Sequence, residues 1–441
     1  MPIQESQLIT KDGKIRLIQN RKKILSWAFY DWANSAYSTT VMAGFFPLFF
    51  EKFYSNPDDV IQSTYQLGIA NSVSSIVIAL FAPILGAIAD RGSAKKKLLI
   101  TFAFLGVLMT AALWFVGQGE WKLAVFFYVM ATIGFMAGNI FYDSLLPAVA
   151  NRDKVDYVSA LGYSLGYLGG GLLFLVNVLM YLHPDWFGIP DSSTAIRLSF
   201  LSVAVWWGIF TLPVIFFVPE PESNDTVPLH KAISGGLAQL KQTYNHIREM
   251  KIIGTFLLAF WLYEDGVATI VRMAVKIGSS LGFAAGDLIT AILMVQFIGF
   301  PAALLYNWFA KNVGIKNAVL IAIGGYGIIT LLGYFMTERI HFYILAALIG
   351  LFQGGIQSLS RSLFTRLVPK NKEAEFFGFY NMLGKFAAVI GPVMVGHITL
   401  LTGNPRTGIL SIVVLFILGG ILLMKVDFKE GERIAKDFGE N

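Results

Sequence analysis

Twelve stretches of this 441-residue chain are each long and apolar enough to cross a lipid bilayer as a helix, and that constrains the fold more than any other feature. A helix rises about 1.5 Å per residue, so roughly 20 mostly apolar residues span the hydrocarbon core. The segments are 25–53, 65–89, 97–117, 122–147, 157–182, 196–218, 252–276, 286–310, 316–336, 341–367, 375–402 and 407–426. Lipid offers the backbone no hydrogen-bond partner, so runs of this length must satisfy their own N–H and C=O groups as helices. The first 24 residues are polar and basic without a short apolar core, so no cleavable signal peptide is expected. Only 14% of residues are charged, against roughly a quarter in soluble domains. The expectation is an all-α polytopic membrane protein whose first partner is the lipid bilayer. Soluble, disordered and nucleic-acid-binding readings are excluded.

Lys and Arg set the orientation. Of 34, 25 fall in the two tails and the loops that share their side, and six fall in the opposite loops. The other three, Arg272, Arg361 and Lys385, lie inside spans. By the positive-inside rule both termini and the central linker are cytoplasmic. The net charge of +6 is therefore a mark of topology and not of a polyanionic partner. Cysteine is absent, which removes disulfides, thiolate metal sites, Fe–S clusters and thiol nucleophiles.

The longest polar interruption, 219–250, divides the chain into a tail (1–24), a six-span half (25–218), a linker, a second half (251–427) and a tail (428–441). Within the linker Leu237, Leu240, Tyr244 and Ile247 form a short amphipathic stripe, on the membrane surface or packed on the loops. The halves echo each other. Trp27-Ala-Phe-Tyr30-Asp31 in the first span matches Trp261-Leu-Tyr263-Glu264-Asp265 in the seventh. The fourth span, with Gly134, Gly138, Asn139, Asp143 and Pro147, parallels the tenth, with Gly350, Gly354, Gly355, Arg361 and Pro369. Two six-helix pseudo-symmetric halves in parallel repeat resemble the major facilitator fold.

The loop after the second span reads Gly86-Ala-Ile-Ala-Asp90-Arg91-Gly92-Ser93-Ala94-Lys95-Lys96-Lys97. It resembles that superfamily's signature of Gly-x-x-x-Asp-Arg followed by Gly and a basic run. The resemblance implies that Gly86, Asp90, Arg91 and Lys95 form a conformational latch, Gly86 by close approach and Asp90 as an anion facing a helix N-terminus. Ser93 stands where the pattern has Gly, and Ala94 where it often has Arg. In the fifth span Gly162, Gly166, Gly170 and Gly171 fit a pattern of exporters in the superfamily, with Tyr167 in place of its Pro, but small-xxx-small rows are also ordinary helix packing.

Two runs narrow the family. One is Trp27-Ala-Phe-Tyr-Asp31-Trp-Ala-Asn34-Ser35-Ala-Tyr37-Ser38-Thr39-Thr40, with Phe45-Phe-Pro47 after it. The other is Gly350-Leu-Phe-Gln353-Gly354-Gly355-Ile-Gln357-Ser-Leu-Ser360-Arg361-Ser362, with Pro369 and Glu375-Phe-Phe-Gly378-Phe-Tyr380. Both resemble the branch related to the autophagy-linked vacuolar amino-acid effluxers, in its compact bacterial form, over essentially the whole chain. The resemblance implies a bacterial inner membrane and, as the default of the fold, a monomer.

Ionisable groups inside spans are expensive and usually face a cavity or a partner. In the first span Asp31, Asn34, Ser35 and Ser38 share a face at i, i+3, i+4 and i+7, flanked by Tyr30 and Tyr37. The fourth span offers Asn139, Tyr142 and Asp143; the seventh Glu264 and Asp265; the tenth Gln353, Gln357, Ser360 and Arg361; the eleventh Asn381 and Lys385. Spans one, four, seven and ten line the central cavity in the superfamily that the chain resembles. The substrate cavity is expected to hold Tyr30, Asn34, Ser35, Tyr37, Ser38, Asn139, Tyr142, Gln353, Gln357, Arg361 and Asn381. Asp31, Asp143, Glu264 and Asp265 are the proton-coupling candidates, although adjacent residues point about 100° apart and only one of Glu264 and Asp265 can face the cavity well. Arg272 and Lys385 read as static ion-pair partners. For Arg361, snorkelling or pairing with the loop between spans four and five competes with substrate binding.

These residues point to a secondary active transporter moving a small polar solute, an amino acid or related metabolite, by alternating access with proton coupling. A uniporter or an exporter of another small solute is the alternative, and a channel or lipid-handling protein is the reading from another class. None of the five histidines has HExxH spacing, so no enzyme, cofactor or metal site is expected.

Overall fold

The computed structural model describes the backbone of residues 11–221, 251–280, 282–370, 372–386 and 390–440. Side chains are described within these ranges except at 11–19, 60, 61, 64, 91, 272–280, 285, 385, 386, 405 and 438–440. The linker stripe and the side chains of Arg91, Arg272 and Lys385 lie outside the described residues.

Helix α1 (Lys11–Ala36) continues without a break into a π-helical stretch over Tyr37–Phe45, and a second follows at Phe50–Tyr54. Then come α2 (Val60–Arg91), α3 (Lys95–Ala112), α4 (Trp121–Ser144), α5 (Val155–Leu182) and α6 (Ser192–Phe217). After the linker follow α7 (Lys251–Ser280), α8 (Ala285–Val313), α9 (Ile315–Tyr334) and α10 (Arg339–Leu367). The chain closes with α11 (Glu373–Phe386), α12 (Ile390–Thr402), α13 (Pro405–Leu410), α14 (Val413–Lys425) and α15 (Phe428–Glu440). Side-chain caps start several of them: Asp59 accepts from the Gln62 N–H before α2, Asp191 from Thr194 before α6, Asn404 from Arg406 before α13 and Asp427 from Glu430 before α15.

Ten helices among the described residues are long and apolar enough to cross a membrane. The other two expected spans are not described as single long α-helices. Residues 25–53 change from α to π winding at Tyr37, and 375–402 are described as two helices, α11 and α12. Leu80, Phe126, Phe216, Leu305 and Ile328 stand exposed, an apolar exterior suited to lipid and not to water.

Buried apolar side chains collect in two large clusters. One draws on residues 27–218 with Ile289 and Ala374, the other on residues 253–426. A small third cluster, built on Ile78, Ala82 and Ile140 with Met382 packed against it, joins α2 and α4 to α11. The final segment is itself a helix. In α15 Phe428 packs edge-on against Phe256 at 5.8 Å, and Glu432 lies 3.5 Å from Arg152 of the first half.

Candidate functional site

A cavity of about 310 Å³ lies between the two clusters. Helix α1 lines it with Asp31, Asn34 and Ser35, the π-helical stretch after it with Ser38, α4 with Asn139, Tyr142 and Asp143, and α7 with Glu264. Helix α10 adds Gln353, Gln357 and Arg361, and α11 adds Asn381.

Arg361 is the hub. Its side chain is 2% exposed, and Nη1 lies 3.0 Å from Asp143 Oδ1 and 3.7 Å from Asp31 Oδ2. Nε donates to Ser159 Oγ at 3.0 Å and Nη2 to the Ser159 carbonyl at 2.9 Å. The rings of Tyr163, Trp27 and Tyr142 surround the guanidinium at 4.2, 5.0 and 5.3 Å, within cation–π range. The carboxylates are held in turn: Tyr142 Oη donates to Asp31 at 3.2 Å, and Asn381 Nδ2 to Asp143 at 3.1 Å. Trp27 fixes Tyr142 by stacking at 4.2 Å and by donating from Nε1 to its carbonyl at 2.9 Å.

Other polar contacts cross the cavity. Asn34 donates to Asn139 at 2.6 Å within the first half. Tyr167 donates to Gln357 at 2.9 Å, and Gln296 Nε2 to Thr39 Oγ1 at 3.0 Å, both between halves. The glycines of α5 let α1 come this close. A Cβ at Gly166 would lie 2.7 Å from Ser35 Oγ, and one at Gly170 2.8 Å from Thr39 Oγ1.

Three expected site residues sit elsewhere. Tyr30 is buried one residue, about 100° of helix, away from Asp31, with its ring 5.2 Å from that of Tyr142 and its hydroxyl against Gly138. Tyr37 turns into the first half, its hydroxyl 2.8 Å from Thr132 Oγ1 and its ring beside Trp207. Asp265 faces α12, where its carboxylate accepts the backbone N–H groups of Ile390 and Gly391, each at 3.0 Å. It joins two helices within one half, behind Glu264, and does not line the cavity.

The loop after α2 joins the first half to the start of α11 in the second. Asp90 accepts the backbone N–H groups of Ala374 and Glu375 at 3.1 and 2.8 Å, at the start of α11. Lys95 lies 2.8 Å from Asp90 and 2.6 Å from Glu373. At Gly86 a Cβ would overlap the Ala374 carbonyl, so glycine is required for the approach. Ser93 adopts φ 44°, the left-handed region in which glycine is at ease. At the same end Arg366 pairs with Asp156 at 2.7 Å, and Ser362 also bonds Asp156.

Several lining residues were missed by sequence reasoning: Thr39, Phe135, Tyr163, Tyr167, Phe260, Gln296 and Tyr380. Gln296 carried a usable signal as an amide within an otherwise apolar span. Tyr163 and Tyr167 directly follow Gly162 and Gly166, a stretch read as an exporter-like glycine pattern or as packing and not as cavity lining. Thr39 lies one helical turn after Ser35 and extends the same polar face into the cavity.

A family model described as "Vacuole effluxer Atg22 like" matches residues 19–436. The uncharacterized MFS-type transporter YxiO of Bacillus subtilis is 39% identical over 400 residues, which cover 90% of this chain and 93% of that protein. Autophagy-related protein 22 of Yarrowia lipolytica is 25% identical over 437 residues, with 79% and 73% covered. Among solved structures, the proton:xylose symporter XylE superposes with TM-score 0.69 at 13% identity, over 92% of this chain and 96% of its own. That likeness shows the major facilitator fold, and with the relatives it makes this protein a multi-pass membrane transporter. With nearly its whole length matched, the chain belongs to the Atg22-like vacuole effluxer family.

Proposed function

We propose that the protein carries a small polar solute, an amino acid or a close relative, by alternating access coupled to protons. The observation that carries this reading is the meeting of Asp31 and Asp143, on two helices of one half, with Arg361 of the other half at the edge of a polar cavity. With both carboxylates ionised, the guanidinium is held across the interface. A proton on either one removes a charge-assisted bond and loosens the tie. Asn34, Asn139, Gln353, Gln357 and Asn381 offer both donors and acceptors, the set that a zwitterion needs. Glu264, on the far wall, is the third proton-carrying candidate. The halves 25–218 and 251–427 move as bodies tethered by the linker, and the contacts of Gly86, Asp90 and Lys95 latch the basic-loop end, which faces the cytoplasm of a bacterial cell.

The test is counterflow in proteoliposomes with an entrapped pH dye and labelled amino acids. Saturable exchange accompanied by a change in internal pH is expected. Flux that rises linearly with concentration, with no counterflow, would replace the carrier with a channel.

A further inference from the structure

We propose that Ser159 and Tyr163 of α5 form a socket for the Arg361 guanidinium, and that this socket holds the basic-loop end of the transporter shut until the arginine withdraws. The inference rests on the alternating-access reading above and names the positioning residues that reading lacks.

Ser159 is fully buried, and its hydroxyl both donates and accepts a hydrogen bond. Its Oγ accepts from Arg361 Nε at 3.0 Å and donates to the Ser358 carbonyl at 2.7 Å, while its own carbonyl accepts Nη2 at 2.9 Å. One residue of the first half therefore grips two edges of the guanidinium and the helical turn before it. That grip leaves Nη1 aimed at Asp143 and Asp31.

The next turn of α5 completes the seat. A Cβ at Gly162 would lie 3.1 Å from Arg361 Nη2, so the glycine makes room, and the Tyr163 ring closes one side at 4.2 Å. Ser159, Gly162 and Tyr163 are spaced i, i+3, i+4, which places them on one face of the helix. Opening the basic-loop end draws α10 away from α5. The arginine then loses Ser159 as well as its carboxylates, and the Ser159 hydroxyl loses Ser358.

Because the chain has no cysteine, the test needs no background substitutions. Spin labels at Asp153→Cys and Lys370→Cys, both exposed and in opposite halves at that end, report its opening by electron–electron distance measurement at fixed pH without solute. Ser159→Ala is expected to raise the ratio of long-distance to short-distance populations roughly tenfold, the effect of losing one hydrogen bond to a charged group. Tyr163→Leu is expected to raise it in the same direction, and Ser159→Thr, which keeps the hydroxyl, to restore the closed distribution. The latch variant Asp90→Ala serves as the independent opener, and elution as a single species selects the variants that fold. If Asp90→Ala opens the pair while folded Ser159→Ala does not, the socket is wrong and alternating access stands. Equal opening by Ser159→Thr and Ser159→Ala also overturns the socket. If neither Asp90→Ala nor Ser159→Ala moves the labels, the alternating-access reading falls with it.

Discussion

Arg361 on α10 crosses the interface between the halves and places Nη1 3.0 Å from Asp143 Oδ1 on α4. Both partners are almost wholly buried, so desolvation opposes the pair and only saturated hydrogen bonding makes it tolerable. Here that condition is met by Ser159 on the arginine and Asn381 on the aspartate.

Removing one member should therefore harm more than removing both. Arg361→Gln leaves two acids facing each other and is expected to destabilise the purified protein by about 3–5 kcal/mol, the range for breaking a buried pair. Adding Asp143→Asn is expected to recover part of that loss. Thermal unfolding in detergent, compared across the two single variants and the double variant, measures the coupling.

Asp265 is expected to behave as a structural residue. Its carboxylate serves the Ile390 and Gly391 N–H groups, so Asp265→Asn, which retains one acceptor oxygen, should lower stability by about 1–3 kcal/mol. The pH dependence of transport should stay as in the parent protein. Measuring uptake against pH for this variant separates the two roles, since a shifted profile would return Asp265 to the proton pathway.

The turn after α2 should respond in opposite directions at two positions. Gly86→Ala forces a methyl group into the Ala374 backbone and is expected to weaken the α2–α11 contact by about 1–3 kcal/mol, as overpacking does. Ser93→Gly relieves a side chain held at φ 44° and is expected to strengthen the turn by about 1 kcal/mol. Thermal stability and the distance between labels at the basic-loop end would both record the opposite signs.

Much of the cavity was legible because helical periodicity and the scarcity of buried charge act together. Asp31, Asn34, Ser35 and Ser38 share a face by spacing alone, and a span tolerates such a face only where it avoids lipid. The same arithmetic separates Glu264, which lines the cavity, from Asp265 behind it. Tyr37 was placed in the cavity although it stands about 120° around the helix from Asp31, and Thr39 was passed over although it lies one turn after Ser35. Ser159 was invisible for another reason. A serine in a Gly-rich span looks like packing until the tertiary fold brings Arg361, 202 positions away, onto its hydroxyl. The loop pattern pointed to Gly86, Asp90 and Lys95 as a contact region, while their partners Ala374, Glu375 and Glu373 depend on how the halves dock.

The most direct measurement is solute accumulation driven by an imposed pH gradient in proteoliposomes, comparing the parent protein with Asp31→Asn, a substitution that keeps shape and removes ionisation. The parent is expected to accumulate solute against its gradient only while the pH difference lasts. Asp31→Asn should keep solute exchange at equal pH and lose the pH-driven accumulation. Full pH-driven accumulation by Asp31→Asn would contradict a proton role for the Asp31–Arg361–Asp143 cluster.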